Sequence, residues 1–160
     1  MAKNTGLVFL EGGGEMAIAI RRFDWASNPL GPIEKWSPSL KITVSLALNS
    51  AFPMWIVWGP KLISIYNDAF LSILGDKPTA LGKPIFEVWP EIWDALRPLV
   101  ERAYAGSPTF LEDMLLRINR KGEPEEAYFT FCYSPIRDEA GQVRGALATV
   151  YETTRKVMAE

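Results

Sequence analysis

Three consecutive glycines, Gly12-Gly13-Gly14, followed by Glu15, Met16 and Ala17, spell G-x-G-x-x-A, a pattern that can seat a pyrophosphate at a helix N-terminus. Dinucleotide binding also needs a second parallel strand ending in an acidic residue. The next stretch here is Asn28-Pro29-Leu30-Gly31-Pro32, which breaks any strand, so the glycines read as a flexible linker. There is no histidine anywhere. That removes Ser-His-Asp and Cys-His catalysis, histidine-ligated zinc or haem, and phosphorylation on histidine within this chain. The one cysteine, Cys132, lies between Phe131 and Tyr133 with no basic residue until Arg137, and reads as a small buried hydrophobe. It forbids an internal disulfide and fits a reducing compartment. The acids Glu112-Asp113, Glu123, Glu125-Glu126 and Asp138-Glu139 fall on or beside predicted hairpins. Strand neighbours point to opposite faces, so Glu112 and Asp113 should not share a site, and loop acids are read as solvated. Gly82-Lys83 is followed by Pro84, which rules out a Walker A loop.

The tryptophans are the most suggestive group: Trp55, Trp58, Trp89 and Trp93, with Phe70 and Phe86. Such a set either lines a small-molecule pocket or packs an ordinary core. The rest of the composition sets the class. At 160 residues with 48% apolar content, the chain can bury a real core in one domain. A net charge of −2 with no basic run argues against a nucleic-acid or anionic-membrane surface. Residues 42–60 carry no charge, but Asn49, Ser50, Pro53, Gly59 and Pro60 interrupt them. They read as a buried helix followed by a buried strand rather than a membrane span. The apolar run at 7–10 is too short for a signal peptide, and the expectation is a soluble, cytoplasmic domain.

The elements follow from periodicity. Residues 15–23 place Met16, Ile20 and Phe23 on one helical face. Ser37 is a helix cap with Pro38 in first position, and Leu40, Val44 and Leu48 give the following helix a face to bury. Residues 54–58 and 62–66 flank a Gly59-Pro60-Lys61 turn and read as a hairpin. Asn67 or Asp68 caps a short helix that Gly75 ends. The proline-rich middle, 77–106, fits short helices, with Pro98 making a kink or break of unassigned position. Segments 110–118, 127–136 and 143–151 read as a meander of longer strands with Phe129, Phe131 and Tyr133 on one face. The order implies α+β with one five-stranded antiparallel sheet, short helices on one face and N-terminal helices on the other.

Several of these segments resemble one family. Residues 52–75, FPMWIVWGPKLISIYNDAFLSILG, are similar to the opening of a PAS (sensory box) domain, where two strands lead to an N-x-A-F helix start, here Asn67-Asp68-Ala69-Phe70. LGKPIFEVWPEIW at 81–93 looks like the family's short central helices. Residues 128–154 resemble its last two strands, with an S-P-I-R-D-x-x-G hairpin and the D/E-x-T junction as Glu152-Thr153-Thr154. The stretch before residue 51 is similar to what precedes such domains in bacterial sensor histidine kinases.

The resemblance implies a regulatory input module rather than a catalyst, with an N-terminal helical extension at 1–51, the sensor domain at 52–154 and the start of a signalling helix at 155–160. It implies output through Glu152 and Thr154 into a C-terminal domain such as a histidine kinase, and the chain looks like an excised sensor fragment. The ligand site implied lies between sheet and middle helices, at Tyr66, Phe70, Phe86, Trp89, Trp93, Phe129 and Phe131. The family's flavin-binding cysteine motif G-x-N-C-R-F-L-Q is missing from the middle segment, and no histidine is present for haem. Cysteinyl flavin and histidine-ligated haem are thus disfavoured, and the cofactor is otherwise unassigned. Two readings stay open: a module binding a small apolar or aromatic ligand non-covalently, and a ligand-free dimerisation and relay element. A homodimer is expected from the apolar surface of Met16, Ile20, Phe23, Leu40, Val44 and Leu48.

Overall fold

A computed structural model describes residues 2–160. After a 3-10 segment at Ala2–Leu10, helices α1 (Gly14–Arg22) and α2 (Pro38–Leu48) precede the hairpin of β1 (Met54–Trp58) and β2 (Ile63–Tyr66). Three helices follow, α3 (Leu71–Leu74), α4 (Ile85–Val88) and α5 (Trp93–Tyr104). Then come the long strands β3 (Thr109–Ile118), β4 (Glu125–Arg137) and β5 (Val143–Glu152), and a last helix α6 (Thr154–Ala159). All strands pair antiparallel in the order β2-β1-β5-β4-β3, so the first hairpin docks on the last strand.

Local chemistry explains most boundaries. Ser37 Oγ accepts from Leu40 N at 3.3 Å and Pro38 opens α2. Asn67 Oδ1 accepts from Phe70 N at 3.2 Å, capping the turn that leads into α3. Of the kink or break expected near Pro98, no break forms: α5 runs through it. Pro98 is on the exposed side, where water can take the orphaned Asp94 carbonyl, while Leu96, Leu99, Val100 and Ala103 are buried.

Two expectations need correction, and a third, the N-terminal helices on the outer sheet face, holds with a narrower reach. The glycine run is no flexible linker: the Asp68 carboxylate accepts from Glu15 N at 2.9 Å and Met16 N at 2.7 Å, capping α1 from across the fold. A Cβ on Gly14 would collide with that carboxylate. Met16, Ile20, Leu40, Val44 and Leu48 are buried within this chain and supply no spare surface for a partner. The N-terminal helices cover the outer sheet face only toward β1 and β2, where Ile56, Ile63 and Ile65 are sealed. Toward β3, β4 and β5 that face leaves Phe110, Leu115 and Tyr151 exposed.

Strict alternation also fails at Glu112-Asp113. A bulge between Leu111 and Met114 puts both of those opposite inward residues, Phe131 and Phe129, and Asp113 takes φ +51°. Among the described residues no helix is long and apolar enough to cross a membrane.

Candidate functional site

The inner sheet face is built from alternate residues. Trp55 on β1 is opposite Ala148 on β5, which is opposite Tyr133 on β4; Val150 is opposite Phe131. Ala148 is the smallest side chain in its row, and the space it leaves is a cavity of about 50 Å³. Ile73, Ile85, Trp89, Ile92 and Leu96 close it from the helices, and Leu116, Ile118, Phe129 and Phe131 extend its sheet wall. No wall residue carries a formal charge, and the wall residues whose side chains hold a polar atom are Trp55, Trp89 and Tyr133. Burial pushes the Tyr133 phenol up, so it stays neutral.

Four of the seven expected ligand contacts are on this wall: Phe70, Trp89, Phe129 and Phe131. Tyr66 is not, because it stacks on Trp55 with ring centroids 4.6 Å apart. Phe86 is 40% exposed on the one-turn α4 and pairs with half-buried Trp93 at 5.9 Å, so neither reaches the cavity. Trp89 is held from outside by Lys77, whose Nζ is 4.9 Å from its ring and 3.0 Å from Glu91. Cys132 is half-buried and points to the opposite face from Phe131 and Tyr133, away from the cavity. Its expected full burial is thereby corrected.

The second site is the junction between β5 and α6. Arg120, from the β3–β4 turn, is 6% exposed and grips Glu152 with Nη1–Oε1 and Nη2–Oε2 both at 2.8 Å. It also reaches Glu125 through Nε at 3.1 Å and the Ile73 carbonyl at 3.5 Å. Thr154 Oγ1 donates to Glu152 at 2.8 Å and accepts from Tyr128 N at 3.0 Å. Lys156 of α6 extends to Asp113 at 3.4 Å. One ion-paired knot thus joins α3, the β3–β4 turn, β4, β5 and α6. The hydrogen bonds from Arg120 hold the Glu152 carboxyl below its ordinary range against the opposing pull of burial. Glu152 and Thr154 were legible from the junction motif. Arg120 was not, since Asn119-Arg120-Lys121-Gly122 reads as an exposed turn.

A bidentate pair of this kind fixes orientation as well as distance. The junction therefore holds the start of α6 in a fixed orientation to the end of β5. Among the described residues no cluster of acids or cysteine is arranged to hold a metal ion.

Comparison with solved structures returns the same five-stranded fold. The PAS domain of Bordetella pertussis BvgS superposes with a TM-score of 0.53 at 21% identity, over 75% of this chain and 94% of that one. The PAS domain of a Colwellia psychrerythraea protein gives 0.53 at 17% identity, over 72% and 98%. An RNA-binding Light-Oxygen-Voltage receptor gives 0.52 at 20% identity over 72% of this chain, which spans only 33% of the receptor. No curated protein matches. At sequence level the family described as PAS fold matches residues 48–157, from the end of α2 through the cavity strands and the Glu152-Thr154 junction into α6. With most of its length inside that match and its fold shared by those domains, the chain belongs to the PAS-fold family of sensory domains.

Proposed function

We propose that this chain is the cytoplasmic input and relay module of a bacterial two-component sensor histidine kinase. Its output leaves through Glu152 and Thr154 into a helix continuous with α6. The observation that carries the reading is the Arg120–Glu152–Thr154 knot, which ties the strand that borders the cavity to the helix that leaves the domain. The domain itself is regulatory and performs no catalysis; the reaction belongs to the attached kinase. Replacing Glu152 and Thr154 with alanine in the intact parent is expected to change its autophosphorylation response while circular dichroism shows a folded protein. Unchanged regulation in both variants overturns the route.

A homodimer is part of this reading. It is supported by the exposed Phe110, Leu115 and Tyr151 on the uncovered sheet face rather than by the N-terminal helices. Light scattering at high concentration should return twice the chain mass, and a monomer mass removes the pairing.

Relay without a bound ligand is favoured over ligand sensing by size, since ligand pockets run to about 300–1,000 Å³ and this cavity has about 50 Å³. The wholly uncharged wall supports the second reading, a small apolar ligand held non-covalently at Phe70, Trp89, Phe129 and Phe131.

A further inference from the structure

The cavity has a helical wall as well as a sheet wall, and the helical wall is also tied to the exit junction. Trp89 and Ile92 are both on that wall, and Glu91 stands between them on the 3-10 turn Pro90–Ile92 without being part of it. Its carboxylate bridges two segments that are far apart in sequence. Oε2 accepts from Lys77 Nζ at 3.0 Å and from the Asn119 amide at 2.9 Å, while Oε1 is 3.2 Å from the same ammonium. Only 11% and 21% of the Lys77 and Glu91 side chains are exposed, against 71% and 55% for the surface pair Arg117–Glu126. Water and salt screen a shielded pair less, so it holds its geometry where a surface pair does not. Lys77 Nζ also stands 4.9 Å from the centre of the Trp89 ring, so an indole face and a carboxylate fix the ammonium from two sides. Beyond Glu91, Asn119 is the backbone neighbour of Arg120, whose guanidinium holds Glu152.

We infer that Lys77 and Glu91 are positioning residues that couple the Trp89 wall of the cavity to the Arg120–Glu152 knot. This deepens the relay reading above and rests on it for the exit through α6. A displaced indole takes its face away from the ammonium, and the ammonium then draws on the Glu91 carboxylate. That carboxylate is what holds the Asn119 amide beside Arg120. Repacking of the wall is enough to drive these steps, with no ligand inside the cavity.

The test is a double-mutant cycle on the chain alone, with Lys77→Met and Glu152→Gln. Lys77 contacts Glu91 and Trp89, and Glu152 contacts Arg120 and Thr154, so the two share no partner. Unlinked side chains change the unfolding constant independently, to within about twofold. Coupled ones should depart from independence by about threefold or more, with Glu152→Gln costing less once Lys77→Met is made. Urea unfolding is run at high salt, where direct attraction between the two charges is screened. In 15N spectra the Arg120 Nε–H and the Thr154 amide should shift in Lys77→Met. They should return in Lys77→Arg, which keeps the ion pair and the ring contact. Lys41→Met removes another ammonium facing a ring, 6.0 Å from the centre of Phe9, and should leave both resonances in place. Independent unfolding constants, resonances unmoved in Lys77→Met or moved as far in Lys41→Met, and failure of Lys77→Arg to restore them each overturn the coupling. Glu91→Gln, which removes the charge at nearly constant volume, replaces Lys77→Met if that variant folds poorly. A null result removes the coupling and leaves the exit through Glu152 and Thr154 to its own test in the intact parent.

Discussion

Arg120 is a charged side chain buried at the tip of a hairpin, and it stays there because two carboxylates answer it. Glu125 and Glu152 keep 31% and 28% of their side-chain surface in water, so the pairing avoids the full desolvation of a dry ion pair. This makes the junction sensitive to acid in a definite direction. In the folded chain the Glu152 carboxyl titrates below its ordinary value of 4.5, chiefly through its hydrogen bonds from Arg120. On unfolding it returns to that value, so its contribution to stability is complete above about pH 4.5 and is lost as pH falls through the lower folded value. Urea midpoints of the unaltered chain and Glu152→Gln should therefore differ at neutral pH and converge on acidification. A gap of equal size at pH 3 and pH 7 would show that the carboxylate charge is not what holds the junction. The same residues show where reading a sequence stops. Glu152 and Thr154 stand in a local junction motif at a strand end, and Asn67 is a local cap. Arg120 carries no local signal, because the carboxylate at Glu152 is 32 residues away. Phe86 fails for a related reason: a one-turn helix has no periodicity to say which side faces in.

At the scale of elements, the knot also depends on how α3 ends. Gly75 closes that helix at φ +63° and ψ −130°, a region open to glycine and strained for other residues. A Cβ there would come within 2.8 Å of the Arg120 carbonyl, which already accepts from Asp76 N at 2.6 Å. Gly75→Ala is thus expected to destabilise the chain by about 1–3 kcal/mol and to disturb the Arg120 site. Gly31→Ala is the control: it has φ +75° but nothing within 4 Å of the new Cβ, so it bears only the backbone cost. Equal urea midpoints for the two variants would show that the contact with Arg120 carries no energy. Helix ends and turns of this kind were readable in sequence because glycine, serine, proline and asparagine act within three or four residues. The bulge at Asp113 was not, since an extra residue in β3 is defined only against its partner β4. Nor was the cap on α1, whose Asp68 is more than fifty residues from the amides it receives.

The family match covers residues 48–157, yet the hydrophobic core reaches beyond it into the N-terminal helices. Ile56, Ile63 and Ile65 point away from the cavity and are at most 1% exposed, under the N-terminal helices. Asn67 Nδ2 donates to the Ala47 carbonyl at 2.8 Å, and its backbone neighbour Asp68 caps α1. The resemblance implied an extension at 1–51 and a sensor domain at 52–154, and the switch from helical to strand periodicity near residue 53 agrees with that division. Periodicity reports local conformation, however, and says nothing of which face a helix will cover. Exposing the three isoleucines would cost about 1.5–3 kcal/mol each, against a total stability of roughly 5–15 kcal/mol for a domain. The loss of the Asn67 and Asp68 hydrogen bonds adds to that. A fragment of residues 52–160 should accordingly show no cooperative melt as a monomer, or one well below that of the whole chain, by calorimetry. In hydrogen exchange, amides of β1 and β2 should lose protection first, since α2 lies against those strands, while β4, paired on both sides by β5 and β3, should keep the most. If the fragment melts within about 4 °C of the full chain, the shift expected from roughly 1 kcal/mol or less in a domain of this size, the N-terminal helices are an appendage and the outer face of β1 and β2 is stable without them.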